Sequence, residues 1–174
     1  MAKEGGAFRF AVVADTHGRP HPKTGARLAE LAPDAILHAG DVGDLSVLDD
    51  LSAHAPVLAV RGNVDGHELP DELVLDVTWQ GRTLLRILLV HMAVDGPRLR
   101  GDVARVARAV GASLVVCGHS HVPLAAAGEI AVFNPGAIGP RRFRLPTVLG
   151  TIDVGPSGAQ LSHVDVETGT RWLP

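Results

Sequence analysis

Tyrosine is absent from this chain, and aromatic residues of all kinds occupy only 3% of its 174 positions. A core built on stacked rings is excluded, so Ala, Val, Leu and Ile must fill the interior. Cysteine occurs once, as Cys117. A lone thiol closes no internal disulfide, and the opening stretch MAKEGGAFRF has neither the apolar run nor the cleavage site of a secretory leader. Both features lead us to expect a cytoplasmic protein. Long apolar runs are missing too: stretches such as Leu84 to Val90 are interrupted by Arg86 and fall far short of the ~20 residues a membrane helix needs. Nor is there an excess of positive charge. A formal net charge of −3 provides no broad surface for nucleic acid or anionic lipid, so recognition of any phosphate must be local.

What is present describes a folded chain rich in tight turns: 46% hydrophobic residues against 20% charged, with 20 glycines and 12 prolines. The length suits one domain spanning 1–174. In the first half, short β-branched runs alternate with helical patterns, the mark of βαβ units and a largely parallel sheet. Strands are predicted at Phe8 to Ala14, Ala35 to Ala39 and Val57 to Arg61, and helices at Thr24 to Leu31 and from Ser46 to about His54, where Ser46 and Asp49 resemble a capping box. After Gly66 the runs Leu73 to Thr78 and Thr83 to Val90, separated by Gln80-Gly81, read as an antiparallel hairpin. A helix is predicted from Asp102 as N-cap, with Val103, Val106, Ala107 and Val110 on one face and Gly111 as its stop. Strands are expected again at Ser113 to Cys117, Ile130 to Phe133, Val148 to Val154 and Gln160 to Val166.

Five short signals lie at or just beyond predicted strand ends, where open α/β sheets bind ligands. They are Asp15-Thr16-His17, Gly40-Asp41, Gly62-Asn63-Val64-Asp65, His91, and Gly118-His119-Ser120-His121. Each alone is a common turn or cap. Together they open onto one rim and combine carboxylate, imidazole and amide oxygen, a borderline donor set suited to Mn²⁺, Fe or Zn²⁺. No serine or cysteine nucleophile motif competes, since Cys117 sits inside the apolar run LVVC and reads as a small buried hydrophobe. Asp41 has two oxygens, one for each of two ions at the ~3.5–4 Å spacing of two-metal hydrolases.

In order and spacing, DTH, GD, GNVD, a strand-end His and GHSH resemble the calcineurin-like metallophosphoesterases, and in particular their small bacterial and archaeal phosphodiesterase branch. The resemblance runs from Phe8 to Asn134 and on into Asn134-Pro135-Gly136, similar to the branch's NPGS turn. It implies a four-layer α/β/β/α sandwich of two mixed sheets flanked by helices. It implies Asp15, His17 and His121 on a first metal, Asn63, His91 and His119 on a second, and Asp41 bridging, with Asp15, Asp41, Asn63 and His91 also in the catalytic set. It further implies two divalent ions, manganese first with zinc, iron and nickel as alternatives, and hydrolysis of a small phosphodiester by a metal-bound hydroxide attacking phosphorus in line.

The chain departs from the family pattern at three positions. Val64 follows Asn63 where many phosphatases carry a leaving-group-protonating His and the branch usually has Cys; Ala137 replaces the NPGS serine; and HMAVDG around His91 lacks the second His of HGH at Ala93. Outside the core set, His38 reads as a buried histidine bonded to backbone, with orientation of Asp41 as its alternative role, and Arg61 as a structural ion-pair partner. Arg141 and Arg142 are better candidates to meet a substrate phosphate, with a solvated loop as an equal alternative. His21, His54, His67 and His163 are expected at the surface. Competing readings are a phosphomonoesterase or protein phosphatase, disfavoured by Val64, and a non-catalytic scaffold of the same fold, as in a retromer subunit that lacks part of the ligand set. The oligomeric state, a homo-oligomer included, is left open by these residues.

Overall fold

The computed structural model describes residues 8–142 and 144–173. Residues 1–7, most of the opening stretch read for a leader, lie outside the described residues. Two mixed sheets form the centre. The first has six strands in the order β13 (Arg171–Trp172), β12 (Gly158–Asp165), β11 (Val148–Gly155), β1 (Phe8–Val13), β2 (Ala35–His38) and β3 (Val57–Ala59). Here β1, β2 and β3 are parallel, while β11, β12 and β13 join antiparallel. The second runs β4 (Glu72–Trp79), β5 (Arg82–Val90), β8 (Leu114–Val116), β10 (Ala131–Asn134) and β9 (Leu124–Ala126). Its β5, β8 and β10 are parallel, and β4 and β9 pair antiparallel at its edges.

The period-2 alternation of each strand divides its apolar residues between two cores. From β1, Phe8, Phe10 and Val12 enter the core between the sheets with Leu37, Ile87, Leu89, Val116 and Phe133, while Ala11 and Val13 face outward. That outward face is covered by α1 (Thr24–Leu31) through Leu28 and by α2 (Ser46–Ser52) through Val47 and Leu51. On the far side, α3 (Gly101–Val110) sets Val103 and Ala107 against Leu88, Val115 and Val132. The result is the four-layer sandwich that the sequence resemblance implies. No helix among the described residues is long and apolar enough to cross a membrane.

The helix starts differ from the sequence reading. Ser46 makes no cap with Asp49; instead Asp44 Oδ1 accepts the Ser46 N–H at 2.9 Å and its hydroxyl at 2.8 Å. An Asx turn therefore leads in, and the helix ends at Ser52 rather than near His54. Asp102 is inside the first turn of α3, not its N-cap, with the extended Arg100 before the helix and paired to it. The acid there complements the helix dipole without cap geometry. Gly111 stops α3 as expected, in the left-handed conformation at φ 72°. Four short strands escaped the reading: β9, β13, and the ribbon of β6 (Val94–Asp95) with β7 (Arg98–Leu99). Two or three residues carry too little periodicity to be seen.

Candidate metal centre

Because β1, β2 and β3 run parallel, as do β5, β8 and β10, the loops following them gather along one edge of the sandwich. Backbone bonds prolong the sheet into these loops. Asp15 donates to the Gly40 carbonyl (3.0 Å), His17 to Asp41 (3.0 Å) and Gly18 to Val42 (2.7 Å), so the loop carrying Asp15 and His17 is stitched to the loop carrying Asp41. On the second sheet, Gly118 donates to the His91 carbonyl at 3.0 Å. The sheets are joined where His119 N–H donates to Asp15 Oδ2 at 3.0 Å. Close approach demands glycine at Gly62, where a Cβ would stand 2.2 Å from both the nitrogen and Oδ1 of Asp41.

Seven described non-glycine residues have positive φ, and five are Asp15 (56°), His17 (47°), Asp41 (55°), His119 (67°) and His121 (60°). The left-handed region costs an L-residue roughly 1–2 kcal/mol. Such a concentration belongs to a site whose surroundings hold it in place for function. The side chains converge in two overlapping groups, Asp15 with His17 and His121, and Asp15 with Asp41 and His91, the donor atoms within each lying no more than 4.8 Å apart. His121 Nε2 is 3.3 Å from Asp15 Oδ1. Asp41 faces both ways, Oδ2 at 3.8 Å from His17 Nε2 and Oδ1 at 3.3 Å from His91 Nε2. Asn63 and His119 stand exposed at the mouth, the His119 ring edge-on to His91 at 5.2 Å, and His119 belongs to neither convergent group.

The donor chemistry fits cations at this point. His91 Nδ1 lies 2.7 Å from the Ala39 carbonyl, an acceptor only, so that nitrogen carries the proton and Nε2 is the ligating atom. Buried His91 Nε2 and buried Asp15 Oδ1 have no hydrogen-bond partner, an expense a fold tolerates where an ion completes them. The Arg142 guanidinium, a donor only, reaches His17 Nε2 at 3.2 Å, so that nitrogen also presents its lone pair. Burial pushes Asp15 up to about 7, against the pull of His91 and with the charge of Asp41 adding to the rise. Burial also opposes the charge on Asp41, but His91 and the Val64 N–H hold it well below the usual carboxylate range. For His91, burial is outweighed by Asp41 and its pKa rises. Burial lowers His17 and His119, and lowers His121 to about 4 with help from Arg142, which leaves these rings in the neutral form metals require.

Several supporting residues were missed or underrated in the sequence. His38 is wholly buried, its Nδ1 accepting from Gly40 N–H at 3.2 Å and its Nε2 3.0 Å from Thr16 Oγ1. The Thr16 hydroxyl donates to the Val42 carbonyl at 2.9 Å, so His38 donates to it. The ring thus bridges the residue between Asp15 and His17 to the residue before Asp41, combining backbone bonding with an orienting role. Asp65 accepts from Val42 (3.1 Å), Gly43 (2.8 Å) and Gly62 (2.7 Å), which ties the Asp41 loop to the Asn63 loop. Asn134 donates to the Gly118 carbonyl at 2.7 Å and accepts from Gly136 at 2.9 Å. His163, expected at the surface, is buried and meets the Asn134 carbonyl at 2.8 Å. Its place opposite Gly150 across the sheet, against the Phe133 ring at 4.8 Å, has no local signal in the sequence.

Other expectations separate cleanly. Arg61 pairs with Asp71, and Arg141 turns away to the Leu145 carbonyl at 2.9 Å, which leaves Arg142 as the arginine at the centre. His54 and His67 are exposed, and His21 is partly buried beside Glu167. Ala93 packs in the cluster beneath α3, so the residue at that position faces core rather than cleft. Cys117 is buried, and burial pushes its thiol up to about 12.

Carboxylates and imidazoles converging on the rim of a four-layer sandwich form a candidate metal-binding site. Residues 8–155 match the calcineurin-like phosphoesterase superfamily domain, and the chain belongs to that superfamily. It is 32% identical over 140 residues to a probable metallophosphoesterase of Methanocaldococcus jannaschii, a match covering 76% of this chain and 69% of the relative. In fold it is similar to a predicted phosphoesterase from Streptococcus pneumoniae TIGR4 (TM-score 0.71, 20% identity, 97% of each chain). It is likewise similar to vacuolar protein sorting 29 from Cryptosporidium parvum (TM-score 0.78, 16% identity, 98% of this chain and 97% of that one).

Proposed function

We propose that the protein hydrolyses small phosphodiesters with two divalent cations, manganese first among them, held by Asp15, His17, Asp41, Asn63, His91, His119 and His121. The observation that carries this reading is the pair of convergent donor groups sharing Asp15, with buried lone pairs on Asp15 Oδ1 and His91 Nε2 left without partners. The cations, when bound, activate the attacking water and neutralise the phosphoryl oxygens. Asp41, with one oxygen toward His17 and the other toward His91, would be the ligand shared between them. Asn63 and His119 complete the second position from the mouth, and Arg142 binds a non-bridging phosphoryl oxygen beside His17. Val64 is half exposed, its N–H given to Asp41 Oδ1 at 3.1 Å, and its side chain supplies no proton to the leaving group.

Five strained positive-φ residues gathered at one rim support a metal-holding role for it, and the presence of all seven ligand positions supports the enzyme over a protein-interaction role. The absence of an imidazole at position 64 favours diesters over monoesters. The test is hydrolysis of a panel of phosphodiesters and monoesters in Mn²⁺, Zn²⁺, Mg²⁺ and EDTA. Diester turnover that Mn²⁺ supports and EDTA abolishes is expected; turnover of monoesters alone, or none with any metal, overturns the proposal.

A further inference from the structure

The outer face of the second sheet is only partly covered. α3 packs on β5, β8 and β10, whereas among the described residues β4 contributes no side chain to the cluster beneath it. Between α3 and the β4–β5 hairpin a cleft of about 510 Å³ remains, and Asn63 and His91 are among the residues that line it. Its walls are the apolar side chains of Leu88, Val90, Met92, Val103 and Val106. Leu88 and Val90 lie on the outer face of β5, opposite Val74 and Glu72, and Met92, the residue after His91, is 40% exposed. The volume lies within the range of small-molecule sites, and walls of this kind are what such sites use to grip organic groups.

The charges around the opening select against a second anion. Arg61 is paired with Asp71 and Arg100 with Asp102, and Glu72 adds a further carboxylate. Two cations already matched by two carboxylates, with a third carboxylate beside them, give no net attraction for a second phosphate. An uncharged apolar or aromatic group meets no such penalty, and it displaces water from Val90, Met92 and Val106 as it enters.

We propose that this cleft binds one organic arm of the substrate, and that the arm is uncharged and apolar or aromatic, carried by a phosphoester whose phosphorus lies at the metal centre. This rests on the phosphodiesterase reading and deepens it by naming the kind of ester. Continuity carries the argument, because His91 belongs at once to the convergent donors and to the cleft, and Asn63 lines the cleft beside it.

The experiment measures binding of methyl-, phenyl- and 1-naphthylphosphonate, with 4-carboxyphenylphosphonate as the charged comparator, to Zn²⁺-loaded protein by titration calorimetry. Methyl-labelled protein then locates the naphthyl ring by NMR. Affinity should rise about tenfold or more from methyl to naphthyl, fall again with the carboxylate, and give ring contacts to the methyls of Leu88, Val90 and Val106. Val106→Glu, a substitution at a partly exposed helix position, should cut the naphthyl-to-methyl affinity ratio about tenfold. Equal affinity for the three neutral-arm phosphonates, or ring contacts to another face, overturns the cleft assignment while leaving the metal centre in place. Protein that binds neither metal nor methylphosphonate and cleaves no diester overturns the underlying reading, and this assignment with it. The wild-type ligand series decides the question even if the variant fails to fold.

Discussion

Replacing Asp65 by asparagine should loosen the metal centre from behind. The carboxylate accepts three backbone N–H groups: Oδ2 takes Val42 at 3.1 Å and Gly62 at 2.7 Å, and Oδ1 takes Gly43 at 2.8 Å. Asparagine keeps one oxygen, which serves Val42 and Gly62, and turns its own NH₂ toward the Gly43 N–H. A bond to a charged acceptor contributes ~1.5–3 kcal/mol and one to a neutral acceptor ~0.5–1.5. One bond lost and two weakened sum to ~3–5 kcal/mol, and water reaching the half-buried site reduces the expectation to ~2–3 kcal/mol. Urea unfolding followed by circular dichroism in EDTA reads this without metal linkage, and melting should fall by ~4–12 °C. Metal affinity should weaken as well, because the loops bearing Asp41 and Asn63 are held together through this carboxylate. An unfolding free energy within ~0.5 kcal/mol of wild type at unchanged m-value would refute the reasoning. With both oxygens occupied by backbone, Asp65 is also a poor donor of a proton to a leaving group.

Asp41→Asn should lower bound metal from two ions per chain toward one or none by elemental analysis at saturating Mn²⁺, since the shared charge is gone; unchanged stoichiometry removes Asp41 from the bridge. Burial holds His38 at about 4, so between pH 6.5 and 4 the unfolded chain binds a proton that the folded chain refuses. In the metal-free protein His38 therefore contributes a loss of stability as pH falls through that window, joined by His121, also held at about 4, and opposed by Asp15, whose raised value of about 7 favours the folded state below neutrality. His38→Gln should flatten the dependence of the urea midpoint on pH, and an identical slope would exclude His38 as its source. Arg142→Ala should lower kcat/KM for diesters ~10–100-fold with partial recovery in Arg142→Lys, as expected for loss of a charged hydrogen bond; full activity in both assigns the phosphate elsewhere. With Val64 unable to protonate the leaving group, aryl diesters should react far faster than alkyl ones. Val64→His should gain most on poor leaving groups, up to the ~10²–10⁴-fold of general acid catalysis, and a flat leaving-group plot with chemistry rate-limiting means another acid acts.

Sequence reading succeeded where the signal was local. Thr24–Leu31 was bounded to the residue, the hairpin around Gln80-Gly81 was found, and Gly111 was recognised as a helix stop. It failed where a side chain's surroundings come from distant chain. Asp102 carries the residue type of an N-cap, yet Arg100 already provides the extended backbone before the helix, and the acid pairs with it instead. His163 sits in a strand with polar neighbours and is buried because Gly150 and Phe133 lie across from it.

The sequence by itself made the family and the candidate donors legible, because those donors lie in two- to four-residue motifs at strand ends, and strand ends are set by apolar periodicity over short spans. It likewise determined the layered fold, through period-2 strands alternating with amphipathic helices. Only the tertiary structure decided that Asp15 belongs to both donor groups, that Asn63 and His119 stand at the mouth, and that Arg142 rather than Arg141 or Arg61 reaches the centre. Those outcomes depend on contacts such as His119 N–H to Asp15, spanning 104 positions, and Arg142 to His17, spanning 125. Nothing in either local stretch encodes the other. The cleft beside α3 has the same origin, since it is a gap left by how far a ten-residue helix reaches across a five-stranded sheet.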